Sequence, residues 1–353
     1  MIYNIKEYNF NLINSKLKIY NKNNILFNYI IKYKIGSGSL SNVYLLDKEI
    51  NLYNKVKNFL LYLFNYNINI NNKYILKLSK DNNNYIIEEL NYINNIFIKN
   101  NIKNICYPIQ YGYINNIDKY YIIYPYFGNY NLENIKLFNL NNNEKLNIIN
   151  QIISQLNNLN NCIHCDLKPS NIVIDNNKNV TIIDFGLIKE LSDIKNILST
   201  SYITSPESIL SIDYLHLLID DNDVIDYSKH DYYGLFFIIL NILLNNNFYY
   251  IFYNYLYKLK IIKYIESPYI YIYCWYKFYY DNINNIEIKS LQNLIKYILC
   301  EYPEFSKIKF YNFNKFYDIY ININNNKIKD FIYYLIHFNY NKRKLLLNNL
   351  ISI

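Results

Sequence analysis

The sequence predicts an α+β chain with two unlike lobes, the first mostly sheet and the second mostly helix. Three observations carry this reading. Short apolar runs separated by turn residues fill the first third, and helical spacing takes over from Glu144. The longest apolar run, Gly234 to Leu244, is only about half a bilayer span and is broken by Asn241, so it reads as a buried helix. At 353 residues the chain can bury a sizeable core.

Taken in order, Tyr33 to Leu46 reads as strand, glycine turn, strand, and Tyr74 to Leu78 as another short strand. Asn84 to Ile96 is a predicted helix, because Glu89, Ile93 and Ile96 fall on one face. Ile109 to Tyr113 and Tyr120 to Tyr126 are strand-like; Leu146, Ile149, Ile152, Ile153 and Leu156 then mark a helix. Ile172 to Ile174 and Val180 to Ile183 are two further strand-like stretches. The Asn-rich runs 139–143 and 322–326 are loops, since Asn tolerates turn conformations. Residues 1–29 carry no motif.

Composition narrows the function classes. Hydrophobic residues make up 52%, which excludes a disordered chain. The net charge of +8 comes from scattered lysines, a solvated surface, so neither nucleic acid nor a membrane is expected as a partner. No charged-then-apolar leader precedes a small-residue cleavage site, so the expected location is intracellular and cytoplasmic, or host cytoplasm for a viral protein. Five cysteines, an odd count, argue against a disulfide framework. There is no alanine, and Arg343 is the single arginine, a pattern that fits a genome poor in G and C. With only 6 glycines, each is expected where the backbone needs it.

Two constellations carry chemistry. The first, Ile35-Gly36-Ser37-Gly38-Ser39-Leu40-Ser41-Asn42-Val43, sets two glycines between strands, where backbone N–H groups can face a polyanion. Taken alone it could equally be an ordinary hairpin turn. The second is His164-Cys165-Asp166-Leu167-Lys168-Pro169-Ser170-Asn171, a loop because Pro169 disfavours a long helix. Its carboxylate, ammonium and amide suit a base for a hydroxyl, a cation for a transferring phosphoryl group and an oxygen ligand for a divalent metal. Asp184-Phe185-Gly186 follows an apolar strand and offers a second metal ligand.

These residues resemble the eukaryotic-type serine/threonine protein kinases, whose signatures are a Gly-rich loop, a strand lysine, a helix glutamate, H-R-D-x-x-x-x-N, D-F-G and A-P-E. The order here is Gly36/Gly38, Lys77, Glu89, His164/Asp166/Asn171, Asp184-Phe185-Gly186 and Ser205-Pro206-Glu207. Asp231 to Leu235 looks like the start of the family's buried central helix, and Arg343 resembles the late arginine that pairs with the glutamate of A-P-E. The resemblance implies a two-lobed protein-kinase-like fold: an extension over 1–29, then a kinase domain over 30–353 with its N-lobe at 30–126 and C-lobe at 127–353.

By the same resemblance, Ile35, Gly36, Ser37, Gly38, Ser39, Leu40, Ser41 and Val43 would cover ATP. Lys77 would hold its α- and β-phosphates and pair with Glu89; Lys73 and Glu88 are rivals for those two roles. The Pro125 carbonyl and Phe127 N–H would meet adenine, with Tyr124 behind them. Asp166 would accept the substrate proton, Lys168 would steady the γ-phosphate, and Asn171 and Asp184 would bind Mg2+. Thr200, seven residues before Glu207, would meet the catalytic aspartate and lysine. The partner implied is a protein substrate carrying Ser or Thr, and a monomer is expected.

Several departures stand out. Ser41 replaces the third glycine, and the interval from Val43 to Lys77 is long enough to hold an insertion. Cys165 replaces the arginine that meets an activation-segment phosphate, and a neutral thiol cannot make that bidentate contact. Cys162 and Cys165 form a C-x-x-C, but no second pair at metal spacing accompanies it. His216, His230 and His337 read as surface or satisfied structural residues. Two other readings remain: a pseudokinase acting as an ATP-binding scaffold, and a small-molecule phosphotransferase of the related fold.

Overall fold

Alternating apolar residues along the first strands build one antiparallel sheet of six strands, ordered β1-β2-β3-β4-β6-β5. The strands are β1 (Lys16–Tyr20), β2 (Leu26–Ser37), β3 (Ser41–Lys48), β4 (Lys73–Ser79), β5 (Gln110–Ile114) and β6 (Lys119–Pro125). The computed structural model describes residues 16–20, 26–37, 41–48, 73–80, 86–95 apart from 87, 88 and 92, 106–114, 118–133 apart from 129, and 140–193 apart from 160. It also describes 197, 204–244 apart from 212, 222 and 224, 267–307 apart from 281, and 337.

The period of two places Tyr29, Ile31, Leu46, Leu76 and Ile123 in one buried cluster on a single face of the sheet. Ile122 points the other way and packs with Ile86 and Leu90 of the helical stretch that also carries Glu89 and Ile93. Ile96, which the periodicity puts on that helix, lies outside the described residues. Strand β1 falls in the motif-free leader and pairs antiparallel with β2 at the sheet edge. These strands belong to one compact unit, Met1–Asn95 with Ile105–Phe127, and the remainder, Ile96–Asn104 with Gly128–Ile353, forms a second.

The second unit is mainly helical. Helix α1 (Asn142–Asn157) starts at a capping box: Asn141 Oδ1 accepts the Glu144 N–H at 2.9 Å, and Glu144 Oε2 accepts the Asn141 N–H at 2.9 Å. Its buried face is Lys145, Ile148, Ile149, Ile152 and Ile153; Leu146 and Leu156, expected on that face, are only half-buried. Two glutamines one turn apart on α1 then act as a surrogate strand. Gln151 donates to the Lys178 carbonyl and accepts from Val180 N–H, and Gln155 donates to the Val180 carbonyl and accepts from Ile182 N–H. They satisfy the open edge of strand β10 (Val180–Ile182), which pairs on its other side with β9 (Ile172–Ile174).

Strand β9 also pairs with β7 (Tyr130–Asn131), and β8 (Cys162–Ile163) pairs with β11 (Lys189–Glu190). Helix α2 (Pro206–Leu210) is short, with Ser205 as its N-cap. Helix α3 (His230–Leu244) is apolar nearly all round and largely buried, as its sequence predicts. Its buried Asn241 is satisfied by donating to the Leu132 carbonyl at 2.8 Å. A Cβ on Gly234 of α3 would lie 2.3 Å from the Leu167 carbonyl oxygen, so only glycine lets this helix approach the loop that follows β8. Helices α4 (Pro268–Tyr279) and α5 (Lys289–Glu301) complete the described part, where Tyr273, Tyr276, Tyr302 and Phe305 pack ring on ring. Among the described residues no helix is long and apolar enough to cross a membrane.

Candidate functional site

In the first unit β2 and β3 pair as the arms of the glycine hairpin, with Gly36 opposite Val43 and Ser37 opposite Asn42. Its register shifts between Ile31 and Tyr33 and again between Lys34 and Gly36, so the hairpin leaves the sheet irregularly, as bulged strands do. A Cβ on Gly36 would have nothing within 4 Å, and its φ is not positive. Neither the conformation nor the packing of Gly36 therefore requires glycine. Ile35 is 49% exposed, the Ser37 hydroxyl donates to Asn42 Oδ1 at 2.8 Å, and Ser41 is buried opposite Ser79. Gly38, Ser39 and Leu40 lie outside the described residues.

Val43 on β3 sits opposite Lys77 on β4. The Lys77 ammonium donates to Glu89 Oε2 at 2.7 Å, and Glu89 is 5% exposed. Its second oxygen, Oε1, accepts the Tyr124 hydroxyl at 3.1 Å, so one carboxylate ties β4, β6 and the helical stretch together. Lys73 lies at the outer end of β4 with its ammonium 5.7 Å from the Tyr126 ring centroid, while Glu88 is outside the described residues. Pro125 ends β6 opposite Tyr74, and half-buried Phe127 follows it.

In the second unit the loop after β8 is held largely by side chains bonded to its backbone. Asp231, near the start of α3, accepts the N–H of His164 at 2.7 Å and that of Cys165 at 3.1 Å. Cys165 takes φ 68, a left-handed conformation on the order of 1–3 kcal/mol unfavourable for a residue with a Cβ, and these bonds hold it there. His164 Nε2 donates to the Ile183 carbonyl at 3.1 Å, and its Nδ1 accepts the Asp166 N–H at 3.3 Å. The carbonyl at the far end accepts only, so it sets this tautomer.

Asp166 is 8% exposed, and its Oδ2 lies 2.7 Å from the Lys168 ammonium. Asn171 donates its side-chain amide to the Asp166 carbonyl at 2.9 Å and to Asp166 Oδ2 at 3.4 Å. With the NH2 committed, the amide oxygen of Asn171 is the end left to accept a cation. The Asn171 carbonyl in turn accepts the Ile183 N–H at 2.9 Å, which fixes the residue before Asp184 to this loop. Asp184 is exposed and, at φ 65, is the second left-handed non-glycine residue here. An amide oxygen and an exposed carboxylate are hard donors of the kind that fit Mg2+. Among the described residues there is no group of three or more His, Cys, Asp or Glu that could hold a metal.

Cys165 itself is buried with Ile163 and Ile197, and Leu187, Leu191 and Tyr227 pack against them. Burial, then Asp231, pushes its thiol well above the ordinary range, so it stays neutral. Glu207 on α2 is fully buried; Thr200 and Arg343 lie outside the described residues. Three contacts of residues the resemblance had named were not foreseen: the hydroxyl of Tyr124 on Glu89, the Asp231 clamp on the loop backbone, and Gly234 under Leu167. Each of these contacts joins residues 35 or more positions apart, and the scarcity of glycine was the one further signal, at Gly234.

Fold and side-chain sets define a class. The family model described as the protein kinase domain matches residues 29–347, and the chain belongs to this family. It is 36% identical over 103 residues to the serine/threonine-protein kinase PrkC of Bacillus subtilis (strain 168), a match covering 28% of this chain and 15% of that protein's length. The structure of the Cydia pomonella granulovirus kinase PK-1 matches with a TM-score of 0.50 and 17% identity, over 92% of this chain and 93% of that one, a likeness of fold.

Proposed function

We propose that the chain is an active Mg·ATP-dependent serine/threonine protein kinase, moving the γ-phosphoryl group of ATP to a protein hydroxyl. The observation that carries this is the set Asp166, Lys168 and Asn171, mutually bonded on one loop whose backbone also fixes the residue before Asp184. In this reading Asp166 accepts the hydroxyl proton as the nucleophile attacks, and Lys168 holds the γ-phosphoryl oxygens from the same side. Asn171 and Asp184 would hold the magnesium, which when bound neutralises charge on the transferring phosphoryl group.

Lys77, kept in place by Glu89, would bind the α- and β-phosphates, and the backbone from Ile35 to Val43 would cover the nucleotide. The Pro125 carbonyl and the Phe127 N–H are assigned to adenine, and Thr200 to the substrate side of Asp166. The Asp166-Leu167-Lys168 wording favours the serine/threonine branch. The 30–126 and 127–353 division is proposed for the two lobes.

Activity is proposed to be independent of activation-segment phosphorylation. The apolar packing of Cys165 with Ile197, and the Ile197 N–H bond to Ser211 Oγ at 2.8 Å, supply the support that an arginine–phosphate pair would otherwise give. The test is transfer from labelled ATP to a peptide library. Serine or threonine labelling that needs Mg2+ supports the assignment. A Mg·ATP-induced rise in melting temperature without transfer would instead mean a nucleotide-binding scaffold, and labelling of choline or an aminoglycoside a small-molecule phosphotransferase.

A further inference from the structure

A buried imidazole joins the segment around Ser205 to the peptide that precedes Asp166. His230, the first residue of α3, is 2% exposed, and both ring nitrogens are engaged. Nε2 lies 3.0 Å from the Cys165 carbonyl oxygen, and Nδ1 lies 2.8 Å from Ser205 Oγ. A backbone carbonyl can only accept, so Nε2 carries a proton and donates it. In the neutral ring Nδ1 then accepts from the Ser205 hydroxyl, whose oxygen accepts the Ser208 N–H at 3.3 Å. Every polar atom of this bridge is satisfied.

The bridge acts where the backbone is strained. The N–H groups of His164 and Cys165 are held by Asp231, and the Cys165 carbonyl by His230, so the left-handed Cys165 is gripped on both sides. The Cys165 carbonyl and the Asp166 N–H share one rigid peptide plane, so a bond to the first sets the direction of the second. Ser205 stands where the A-P-E signature has alanine, which has no hydroxyl to offer. An alanine there could not make the Ser205–His230 contact.

We propose that His230 is a positioning residue that fixes the Cys165–Asp166 peptide plane and, through Ser205, couples the seat of Asp166 to the segment carrying Ser205-Pro206-Glu207. This rests on the reading of Asp166 as the catalytic base. His230 touches no reacting atom and acts through the loop alone.

The test uses the full chain, a peptide found in the library, and the variants His230→Leu, His230→Gln and Ser205→Ala. Leucine removes both bonds, whereas the glutamine amide can still donate to the Cys165 carbonyl. His230→Leu is expected to lower kcat by about tenfold to a hundredfold, the scale of a small misplacement of a catalytic group. The KM for ATP should stay within about twofold, because nucleotide binding does not pass through this peptide. His230→Gln should recover most of the lost kcat. An unchanged kcat in His230→Leu would overturn the proposal, as would equal losses in both variants.

A second readout needs no activity. With 4 histidines in the chain, 15N spectra of the imidazoles can be assigned by the signal missing from His230→Gln. A neutral Nε2–H tautomer, with an Nδ1 shift that moves in Ser205→Ala, is the expected result. An Nδ1–H or averaged ring would overturn the bridge. If the tautomer is as expected but wild-type chain transfers no phosphate, it is the kinase reading that fails and not the bridge.

Discussion

The loop from Cys162 to Asn171 and the hairpin around Gly36 both carry a family signature, yet they are built in opposite ways. The loop is buried and over-determined: Asp231 takes two of its N–H groups, His164 spans it, and Gly234 lets α3 press on Leu167. The hairpin is bulged, bears a half-exposed Ile35, and has open space where a Gly36 side chain would go. Strain in the loop is held by the protein itself, whereas Gly36 has no packing that calls for glycine. Under the proposed kinase function, that contrast separates a catalytic group placed in advance from a nucleotide cover whose shape is used only when ligand is present.

Substitutions can break this contrast. Asp166→Asn should lower phosphoryl transfer by about 10²–10⁴-fold, the scale of losing a general base, with an unchanged melting temperature. Gly234→Ala should be costly by way of structure. The added methyl meets the Leu167 backbone, so urea titration should reveal a loss of about 1–3 kcal/mol, the scale of overpacking, with activity falling alongside. If Gly234→Ala is neutral, the loop is not over-determined.

Gly36→Val sharpens the other half. Stability should change by less than about 0.5 kcal/mol, as for a surface position, while the Kd for Mg·ATP measured by calorimetry rises. Equal stability with equal nucleotide affinity would remove the hairpin from the site. Phosphatase treatment should leave activity nearly unchanged, because Cys165 and Ile197 already pack together.

Thiol chemistry gives the smallest effect. Iodoacetamide should label exposed Cys300 in the folded chain and spare buried Cys165 and Cys274, as read by mass spectrometry. Burial raises both thiols well above their ordinary value. Their contribution to stability is therefore complete below the unfolded-state thiol range and declines as pH climbs through it, since there only the unfolded chain ionises.

Much of this was legible because short motifs keep their chemistry in adjacent residues. Asp166, Lys168 and Asn171 lie within six positions of one another, and the strand before Asp184 announces itself by its apolar run. Contacts between distant positions left no such trace. Gln151 and Gln155 complete the edge of β10, a role that the spacing of the apolar residues on their helix does not reveal. His230 read as a satisfied structural residue, which it is, but nothing in its neighbours named Ser205 or Cys165 as its partners. Helix α4 escaped because Tyr and Ile surround it on all sides, so no amphipathic period survives. Strand β1 is short, and its signals, Asn14-Ser15 before it and Asn21 to Asn24 after it, are no stronger than those of the many other Asn-flanked stretches in this Asn-rich chain.

The most direct measurement compares wild type with Asp184→Ala in labelled-ATP transfer to a serine- or threonine-containing peptide across a magnesium titration. Magnesium-dependent transfer by wild type is predicted, with near-complete loss in Asp184→Ala while both proteins melt at the same temperature. Equal transfer by the two proteins, or a folded wild type that labels no peptide at any magnesium concentration, would contradict this.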